Sequence, residues 1–319
     1  MTDVHVQTPD ETPRRRPETP DLQHLKHLIL TTLRSLHDYA WSYSRTVQLS
    51  SGLVNARPRN SKARIWQLPS TPGWYFDLSQ PYERLERYAG ITDERLLRSV
   101  LNDPEIQSML PALYALRAKY EYDLELEGAE QTIAAKDPRS LIASQIEHKV
   151  RSLPEAYFRV LRPRDKILFA GSGPMPTTAL ALSKIFGRPI SCIDYDPRAN
   201  DLAREYAKIA GYEKQLTFFQ EDLLDFRGIN RFDCVAGAFL IGISHAPEAV
   251  AAKSEFVRDL LRGLKKNTWL VLRTPRALGS IIYPPLKWVN MPEFREVRYP
   301  LQVGRTLPYD TTFTSWDRV

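Results

Sequence analysis

The sequence is poor in cysteine and contains no long apolar run. Its two cysteines, Cys192 and Cys234, are too few for a disulfide framework or a cysteine-based zinc site. The longest apolar run, Val235 to Ile243, has nine residues, whereas about 20 are needed to span a bilayer. The N-terminus lacks the apolar core of a signal peptide. We therefore expect a cytoplasmic protein with no membrane partner and no metal, in which both cysteines are buried core thiols.

Neither sign of charge dominates the chain. Across 319 residues, 44 Lys and Arg against 38 Asp and Glu leave a net charge of +6. The longest basic run, Arg14 to Arg16, lies in a tail that also carries acidic residues. This mild excess is typical of an enzyme surface, so we expect a small-molecule substrate and no nucleic-acid partner.

The first half of the chain is predicted to be helical. Residues 1–18 are polar and contain prolines, which predicts a disordered tail. Apolar residues spaced three and four apart from Leu22 to Val47 indicate one long amphipathic helix, with Thr19 as its cap. We predict that residues 19–151 form a helical domain that acts as a lid and handles the substrate.

Further helices are predicted in the rest of this half. Residues 50–80 are rich in Pro, Ser and Gly and predict an irregular segment, after which helices resume near Pro81 and again after Thr92. Asp103-Pro104 and Asp137-Pro138 each place a capping side chain before a proline at the first helical position.

Short apolar runs alternate with helical patterns in residues 152–319. This alternation predicts an α/β domain with a doubly wound, mostly parallel sheet. Five such strands followed by a terminal hairpin match the plan of a class I methyltransferase-like Rossmann domain. The strands are predicted at 166–170, 190–194, 216–219, 232–238 and 269–273, the helices at about 175–186, 198–210 and 248–263, and the hairpin at 295–300 and 311–316.

A glycine-containing turn follows the first predicted strand. Gly171 and Gly173 lie in the run Phe169-Ala-Gly-Ser-Gly-Pro-Met-Pro176. Glycines there let the backbone approach a ligand at the carboxyl edge of the sheet, and we expect Ser172 and Pro174 to share that contact. The run ends in proline, so the third glycine of a dinucleotide fingerprint is missing.

An acidic residue follows the second predicted strand at the spacing of a ribose-binding site. Asp194 lies 21 residues beyond Gly173 and can accept both hydroxyl protons of a ribose. Tyr195 can border an adenine. Asp196 precedes Pro197 and is predicted to cap the next helix.

The third predicted strand ends in a second acidic turn. Asp222 can accept a hydrogen bond from an adenine amino group, and the backbone amide of Leu223 can donate one to the ring. Together with the glycine turn, these residues favour an adenosine ligand without a pyrophosphate. We therefore predict that the domain binds S-adenosylmethionine; the alternatives are another nucleotide or an inactive Rossmann domain.

Residues 166 to 300 resemble nicotianamine synthase and its bacterial metallophore relatives. The Gly-Ser-Gly-Pro-Met-Pro run at 171–176 resembles the family's glycine loop, and the stretch from Asp194 to Asn200 resembles its second-strand motif. The stretch from Arg273 to Pro284 resembles a family segment of the same length that begins with Arg and ends in Tyr-Pro.

The resemblance implies that an amine attacks the aminobutyrate Cγ of S-adenosylmethionine, with release of methylthioadenosine. A smaller branch that resembles this family closes the molecule's own amine onto Cγ, which gives azetidine-2-carboxylate. Either reaction needs a neutral amine, and therefore a base or a well-placed acceptor.

Catalytic residues are expected around the methionine arm. Glu155 and Tyr157 precede the first strand, where Glu155 can orient or deprotonate an amine and Tyr157 can place its ring near the sulfonium. Tyr283 matches a family position and is expected to hydrogen-bond the arm. Arg273 or Arg276 can grip the carboxylate, because a guanidinium binds a carboxylate through two parallel hydrogen bonds. For each residue, a packing or surface-charge role is the alternative.

Two departures from the family favour cyclisation. The family usually has His in place of Arg276 and Arg in place of Gly279, and residues 19–151 show no likeness to its N-terminal region. These are the parts expected to recognise a second amino acid, so we predict intramolecular cyclisation. The alternatives are transfer to an amino acid amine, ordinary methyl transfer, and a non-catalytic adenosine-binding protein. The oligomeric state is not indicated.

Overall fold

A computed structural model describes most of the chain. The described residues are 22–50, 76–89, 91, 93–153, 161–162, 165–237, 250–275, 277–286, 294–301 and 311–318. The predicted disordered tail at 1–18 and the predicted cap Thr19 lie outside them.

Five helices precede the sheet in the described part of the chain. They span Leu22–Ser50 (α1), Phe76–Ala89 (α2), Glu94–Leu101 (α3), Pro104–Ala134 (α4) and Pro138–Ser152 (α5). The long amphipathic helix predicted from Leu22 is confirmed as α1, whose Ile29, Leu33 and Leu36 are buried at spacings of four and three.

The two predicted Asp-Pro helix starts are confirmed. The Asp103 carboxylate accepts a hydrogen bond from the backbone N–H of Glu105 (3.0 Å), and Pro104 is the first residue of α4. Asp137 accepts one from the N–H of Ser140 (3.2 Å) and begins α5 in the same way. These caps satisfy N–H groups that the first helical turn leaves unpaired.

The helix start predicted near Pro81 was wrong. Helix α2 begins at Phe76, so residues 76–80, which had been assigned to the irregular segment, are helical and Pro81 lies inside the helix. A proline in the second turn has no N–H to donate to the carbonyl four residues earlier, but it does not prevent the helix from forming.

The sheet confirms the predicted α/β topology. Its seven strands lie in the order β3-β2-β1-β4-β5-β7-β6. The first five are parallel, and β7 pairs antiparallel with both β5 and β6. The strands are Ile167–Ala170 (β1), Ile190–Asp194 (β2), Leu216–Gln220 (β3), Cys234–Gly237 (β4), Trp269–Pro275 (β5), Phe294–Leu301 (β6) and Thr311–Arg318 (β7), and the helices between them are Thr177–Phe186 (α6), Pro197–Ile209 (α7) and Val250–Gly263 (α8).

Three hydrophobic clusters form the core. Two of them include side chains from the sheet, and α5 contributes Ile142 and Ile146 to one of these. The third combines side chains of the four helices α1, α2, α3 and α4 with Leu278, Ile282 and Tyr283 from the segment after β5. That segment therefore connects the sheet to the helices; the domain boundary predicted at 151 stays a prediction.

The two cysteines lie on the strands that flank β1. Cys192 of β2 and Cys234 of β4 are both buried, as predicted.

Among the described helices, none combines the length and the apolar character needed to cross a membrane.

A buried hydrogen bond fixes the segment after β5 against α4. The Tyr114 hydroxyl donates to the backbone carbonyl of Ser280, which lies in the 3₁₀ turn Ala277–Ile281. Tyr283 follows this turn and packs in the same cluster as Tyr114. The contact thereby helps to set where Tyr283 meets α4.

Replacing Tyr114→Phe removes this hydrogen bond and keeps the ring. We expect the free energy of unfolding to fall by about 1 kcal/mol, because a buried carbonyl loses its partner. The measurement is a urea unfolding curve. Tyr88→Phe, at a half-buried tyrosine of α2, is the matched control and should change stability by less than about 0.5 kcal/mol. Equal losses in the two variants would contradict the role of the Tyr114 hydroxyl.

Candidate active site

A cavity of about 670 Å³ lies between α4 and the carboxyl edge of the sheet. Its wall combines residues of α2 and α4 with the turns after β1, β2 and β3 and the end of β5. Ligands of open α/β sheets bind at this edge, where the strand order changes direction. The volume is within the range of small-molecule sites.

The glycine turn after β1 forms one side of the cavity. Gly171 and Gly173 have left-handed backbone conformations, with φ of 67° and 62°. The N–H of Gly171 donates to the carbonyl of Ile193 (2.9 Å), and the N–H of Gly173 donates to Asp194 Oδ2 (3.0 Å). A Cβ atom on Gly173 would lie 2.7 Å from Glu125 Oε2. Glycine therefore suits position 173 because of its left-handed backbone, and a side chain there would also displace the Glu125 carboxyl.

Asp194 ends β2 with both carboxylate oxygens bonded to the backbone. Oδ2 accepts from the N–H of Gly173, and Oδ1 accepts from the N–H of Asp196 (3.1 Å). Burial raises the pKa of Asp194, and these N–H groups oppose the shift. The N–H of Tyr195 is a third backbone donor to this carboxylate, and a carboxylate has about four lone-pair sites, so capacity remains for a ligand hydroxyl.

Asp196 connects the helix after β2 to α4. Its Oδ1 accepts from the N–H of Arg198 (2.8 Å), which confirms the predicted cap of α7. The Tyr122 hydroxyl of α4 donates to its other oxygen. Arg198 in turn pairs with Glu130 of α4. Helix α4 is thus held against the turn that carries Asp194.

The other predicted adenosine contacts line the same cavity. Asp222 accepts at Oδ1 from the N–H of Leu224 (3.0 Å), which shapes the turn after β3. The other predicted adenosine contacts in the cavity wall are Ser172, Pro174, Tyr195 and Leu223. The structure therefore brings the whole predicted set to one edge of the sheet, while their contact with a ligand stays a prediction.

Two cations and a carboxyl group meet beside the glycine turn. Glu125 of α4, Lys149 of α5 and Arg273 of β5 line the wall together. Glu125 is open to the cavity, yet desolvation by the surrounding protein and the charges of Glu121 and Asp194 raise its pKa to about 8. Burial and the charge of Arg273 lower the pKa of Lys149. The group can hold a carboxylate and exchange a proton at Glu125.

A buried arginine lies two turns earlier on α4. Arg117 pairs with Glu86 (2.9 Å) and Glu121 (2.6 Å), and it donates to the Tyr283 hydroxyl (2.7 Å). That hydroxyl donates in turn to Glu121. The guanidinium carbon lies 4.7 Å from the ring centre of Tyr82 and 5.0 Å from that of Tyr283. Burial alone would lower the pKa of Arg117, but the neighbouring Glu121, Tyr283 and Glu86 raise it, so the guanidinium stays charged.

The cavity wall is acidic although the chain is basic overall. Its described residues include eight acids and three bases. The acids are Glu83, Glu86, Glu121, Glu125, Asp194, Asp196, Glu221 and Asp222, and the bases are Arg117, Lys149 and Arg273. A cleft of this sign attracts a cationic ligand.

The predicted catalytic residues have mixed outcomes. Tyr283 and Arg273 lie in the cavity wall. Glu155, Tyr157 and Arg276 lie outside the described residues. Gly279, one of the two departures from the family, is buried in the turn after β5 and is not among the described wall residues.

The face of α4 that lines the cavity was not predicted from the sequence. Arg117, Glu121 and Glu125 are spaced four apart, which places all three on one face of the helix. That spacing was visible in the sequence, but an ordinary solvent-exposed row of charges has the same pattern. No sequence pattern pointed to Lys149, because its position in the cavity wall depends on how α5 packs against the rest of the protein.

The described residues contain no group of three or more side chains that could hold a metal ion.

The strand order and the glycine turn define a class I methyltransferase-like fold.

Comparison with known families identifies the chain more closely. A family model described as nicotianamine synthase protein matches residues 88–300, more than half of the chain. The protein therefore belongs to the nicotianamine synthase family, and the resemblance noted in the sequence is confirmed. The match begins at residue 88 and so includes helices α3 to α5. The expectation that the helical region lacks any likeness to the family was wrong for this part.

Curated relatives match over part of their length. An L-histidine 2-aminobutanoyltransferase of Yersinia pestis is 32% identical over 143 residues, which are 44% of this chain and 49% of that protein. Nicotianamine synthase 1 of Arabidopsis thaliana is 32% identical over 124 residues, 37% of each protein. The chain thus spans about half or less of the length of these curated relatives.

Solved structures share the fold. A glutamate-to-glutamine mutant of MtNAS in complex with S-adenosylmethionine has a TM-score of 0.62 at 20% identity, covering 76% of this chain and 92% of that one. MtNAS in complex with MTA and tNA has a TM-score of 0.61 at 18% identity, covering 88% and 97%.

Two glycines provide a matched test of the glycine turn. Gly173→Ala adds a Cβ at 2.7 Å from Glu125, whereas Gly187→Ala has the same left-handed backbone (φ 61°) with nothing within 4 Å. Both variants should lose about 1 kcal/mol of stability from backbone strain. Only Gly173→Ala should also weaken binding of S-adenosylmethionine, by about tenfold or more, in isothermal titration calorimetry. Equal affinities in the two variants would count against a ligand at this turn.

Proposed function

We propose that this protein consumes S-adenosylmethionine, uses its aminobutyrate Cγ as the electrophile and closes it to azetidine-2-carboxylate. The observation that carries the proposal is one acidic cavity in which an adenosine-type edge adjoins the Glu125, Lys149 and Arg273 group. A ligand with a sulfonium and an ammonium group suits an acidic wall. The names of the curated relatives, an aminobutanoyltransferase and a nicotianamine synthase, support the choice of Cγ.

The adenosine lies along the ends of β2 and β3 in this proposal. Asp194 accepts the ribose hydroxyl protons with the lone pairs that its backbone contacts leave available. Tyr195 borders the adenine, Asp222 accepts from its amino group, and the amide of Leu223 donates to its ring. Gly171 and Gly173 leave room for the backbone to contact the ligand closely.

The aminobutyrate arm passes the glycine turn toward α4 and α5. Lys149 and Arg273 hold its carboxylate, because two adjacent cations can bind both oxygens. Tyr283, which lines the same cavity, retains its proposed role beside the arm, and Arg276 is proposed as a further contact. Glu155 and Tyr157 stay proposed contacts of the amine and the sulfonium.

Glu125 is the proposed base. The pKa of Glu125 is raised to about 8, far above that of an ordinary glutamate, which is about 4.3. The difference in pKa that opposes proton transfer from an ammonium group is therefore smaller than for an ordinary glutamate, which suits a general base.

The reaction forms one bond and breaks one. The neutral amine donates its lone pair to Cγ and forms the fourth bond of the azetidine ring. The bond between Cγ and sulfur breaks, and its electron pair stays on sulfur, which leaves as neutral methylthioadenosine. The proton taken by Glu125 is released to water. The protein's contribution is to hold the amine in line with the breaking bond.

The pairing of Arg117 supports cyclisation over transfer. An acceptor amino acid would bring a second carboxylate that needs its own cation. Lys149 and Arg273 adjoin each other in the wall and are assigned to the carboxylate of S-adenosylmethionine. Arg117, the third base among the described wall residues, pairs with Glu86 and Glu121, and cyclisation needs no second cation.

Incubation of the purified protein with S-adenosylmethionine alone tests this function. We expect methylthioadenosine and a four-carbon cyclic amino acid, identified by mass spectrometry. Product that forms only after an amino acid is added would support aminobutyrate transfer instead. S-adenosylhomocysteine would indicate an ordinary methyltransferase, and tight binding without any turnover would indicate a binding protein.

Glu125→Gln tests the base. We expect kcat to fall at least about 100-fold, while S-adenosylmethionine still binds, because the amide keeps the shape and loses the proton acceptor. The readout is the rate of methylthioadenosine release. Glu127→Gln, two residues further on α4 and not among the described wall residues, is the control and should stay within about twofold of the wild type. An unchanged kcat in Glu125→Gln would overturn the assignment.

A further inference from the structure

A cluster of five side chains closes one side of the cavity. We call Arg117, Glu86, Glu121, Tyr82 and Tyr283 the Arg117 cluster. Arg117 has only 7% of its side chain exposed, whereas the Glu86 side chain is 28% exposed. Two carboxylates and one phenol bond the guanidinium, and aromatic rings cover its faces.

The Arg117 cluster has the parts of a carboxylate-binding site. A guanidinium with aromatic walls binds a carboxylate well, since it is charged, planar and partly desolvated. The Tyr82 hydroxyl is buried in the same wall and has no hydrogen-bond partner among the described residues. Buried hydroxyls are normally bonded, so this atom is a ready donor to a ligand oxygen.

The Arg117 cluster also lies next to the proposed reaction centre. Glu121 bonds to Arg117 and lies one helical turn from Glu125. An amino acid held by Arg117 and Tyr82 would therefore have its amine near the proposed base and the Cγ atom. This is the place where an acceptor would have to bind.

Glu86 occupies that place with a carboxylate of the protein's own. It comes from α2, a different helix from Arg117 and Glu121, and its pairing with Arg117 neutralises the cation. A ligand carboxylate could displace Glu121 from Arg117 less easily than Glu86, because Glu121 also accepts a hydrogen bond from the Tyr283 hydroxyl.

We propose that Glu86 is a specificity-determining residue: its carboxylate pairs with Arg117, the cation of an acceptor subsite in which the Tyr82 hydroxyl would be a second donor, and so restricts the enzyme to cyclisation. This inference rests on the proposed function. Removing the Glu86 carboxylate opens a subsite for a free α-amino acid, whose amine then competes with the substrate's own amine for Cγ. The bonds formed and broken are those of the cyclisation, with the external nitrogen as nucleophile.

Glu86→Ala is the direct test. The variant is incubated with S-adenosylmethionine and either L-alanine or L-histidine, and azetidine-2-carboxylate, methylthioadenosine and the aminobutyrate adduct are quantified by mass spectrometry. We expect the ratio of adduct to azetidine to rise about tenfold or more over the wild type, a change of about 1.4 kcal/mol. We also expect the added amino acid to inhibit cyclisation. Asp77→Ala, exposed at the start of α2, is the control and should match the wild type.

Two further variants keep the test decisive. Glu86→Gln retains the volume and removes the charge, and it should shift the ratio in the same direction if Glu86→Ala fails to fold. Adding Tyr82→Phe to Glu86→Ala should reduce the gain, because the acceptor loses its second donor. Folded Glu86 variants that form azetidine with neither adduct nor inhibition by the amino acid would overturn the inference. A wild type that forms no azetidine would instead refute the proposed function.

Discussion

The site depends on one close contact between α4 and the glycine turn. Gly173 has no side chain, so the Glu125 carboxyl of α4 can lie where a Cβ atom would otherwise be crowded at 2.7 Å. The same glycine donates its N–H to Asp194. Gly173 therefore contacts both the carboxylate that ends β2 and the Glu125 carboxyl of α4. In our account, this places the nucleoside edge and the proposed base in one cavity.

One face of helix α4 combines opposite charges at the cavity. Arg117, Glu121 and Glu125 follow one another at intervals of four residues. The first two pair with each other, whereas desolvation and the charges of Glu121 and Asp194 raise the pKa of the third against the opposing charge of Lys149. In our account, the sheet binds the nucleoside and α4 determines what reacts there. The product then depends on whether Arg117 is paired with Glu86 or with the carboxylate of an acceptor.

Much of the sheet and its nucleoside edge could be predicted from the sequence. Short apolar runs, the Gly171 turn and the acid at Asp194 are local signals, and the structure confirms the strands and the order they imply. The pairing of Arg117 with Glu86 joins two helices 31 residues apart in the chain, and no local pattern encodes it. The raised pKa of Glu125 likewise depends on tertiary packing. Pro81 shows the reverse case, in which a strong local signal misplaced a helix start.

The central claim is that the nitrogen attacking Cγ belongs to the same molecule. A crossover experiment tests it most directly. The enzyme is given an equal mixture of S-adenosylmethionine labelled with ¹⁵N in its amine and S-adenosylmethionine labelled with ¹³C at Cγ. Our account predicts azetidine-2-carboxylate that carries one label or the other, and no adduct of two substrate molecules. An open-chain aminobutyrate adduct that contains both labels would show that the amine of one molecule attacks the Cγ of another, and would contradict the account.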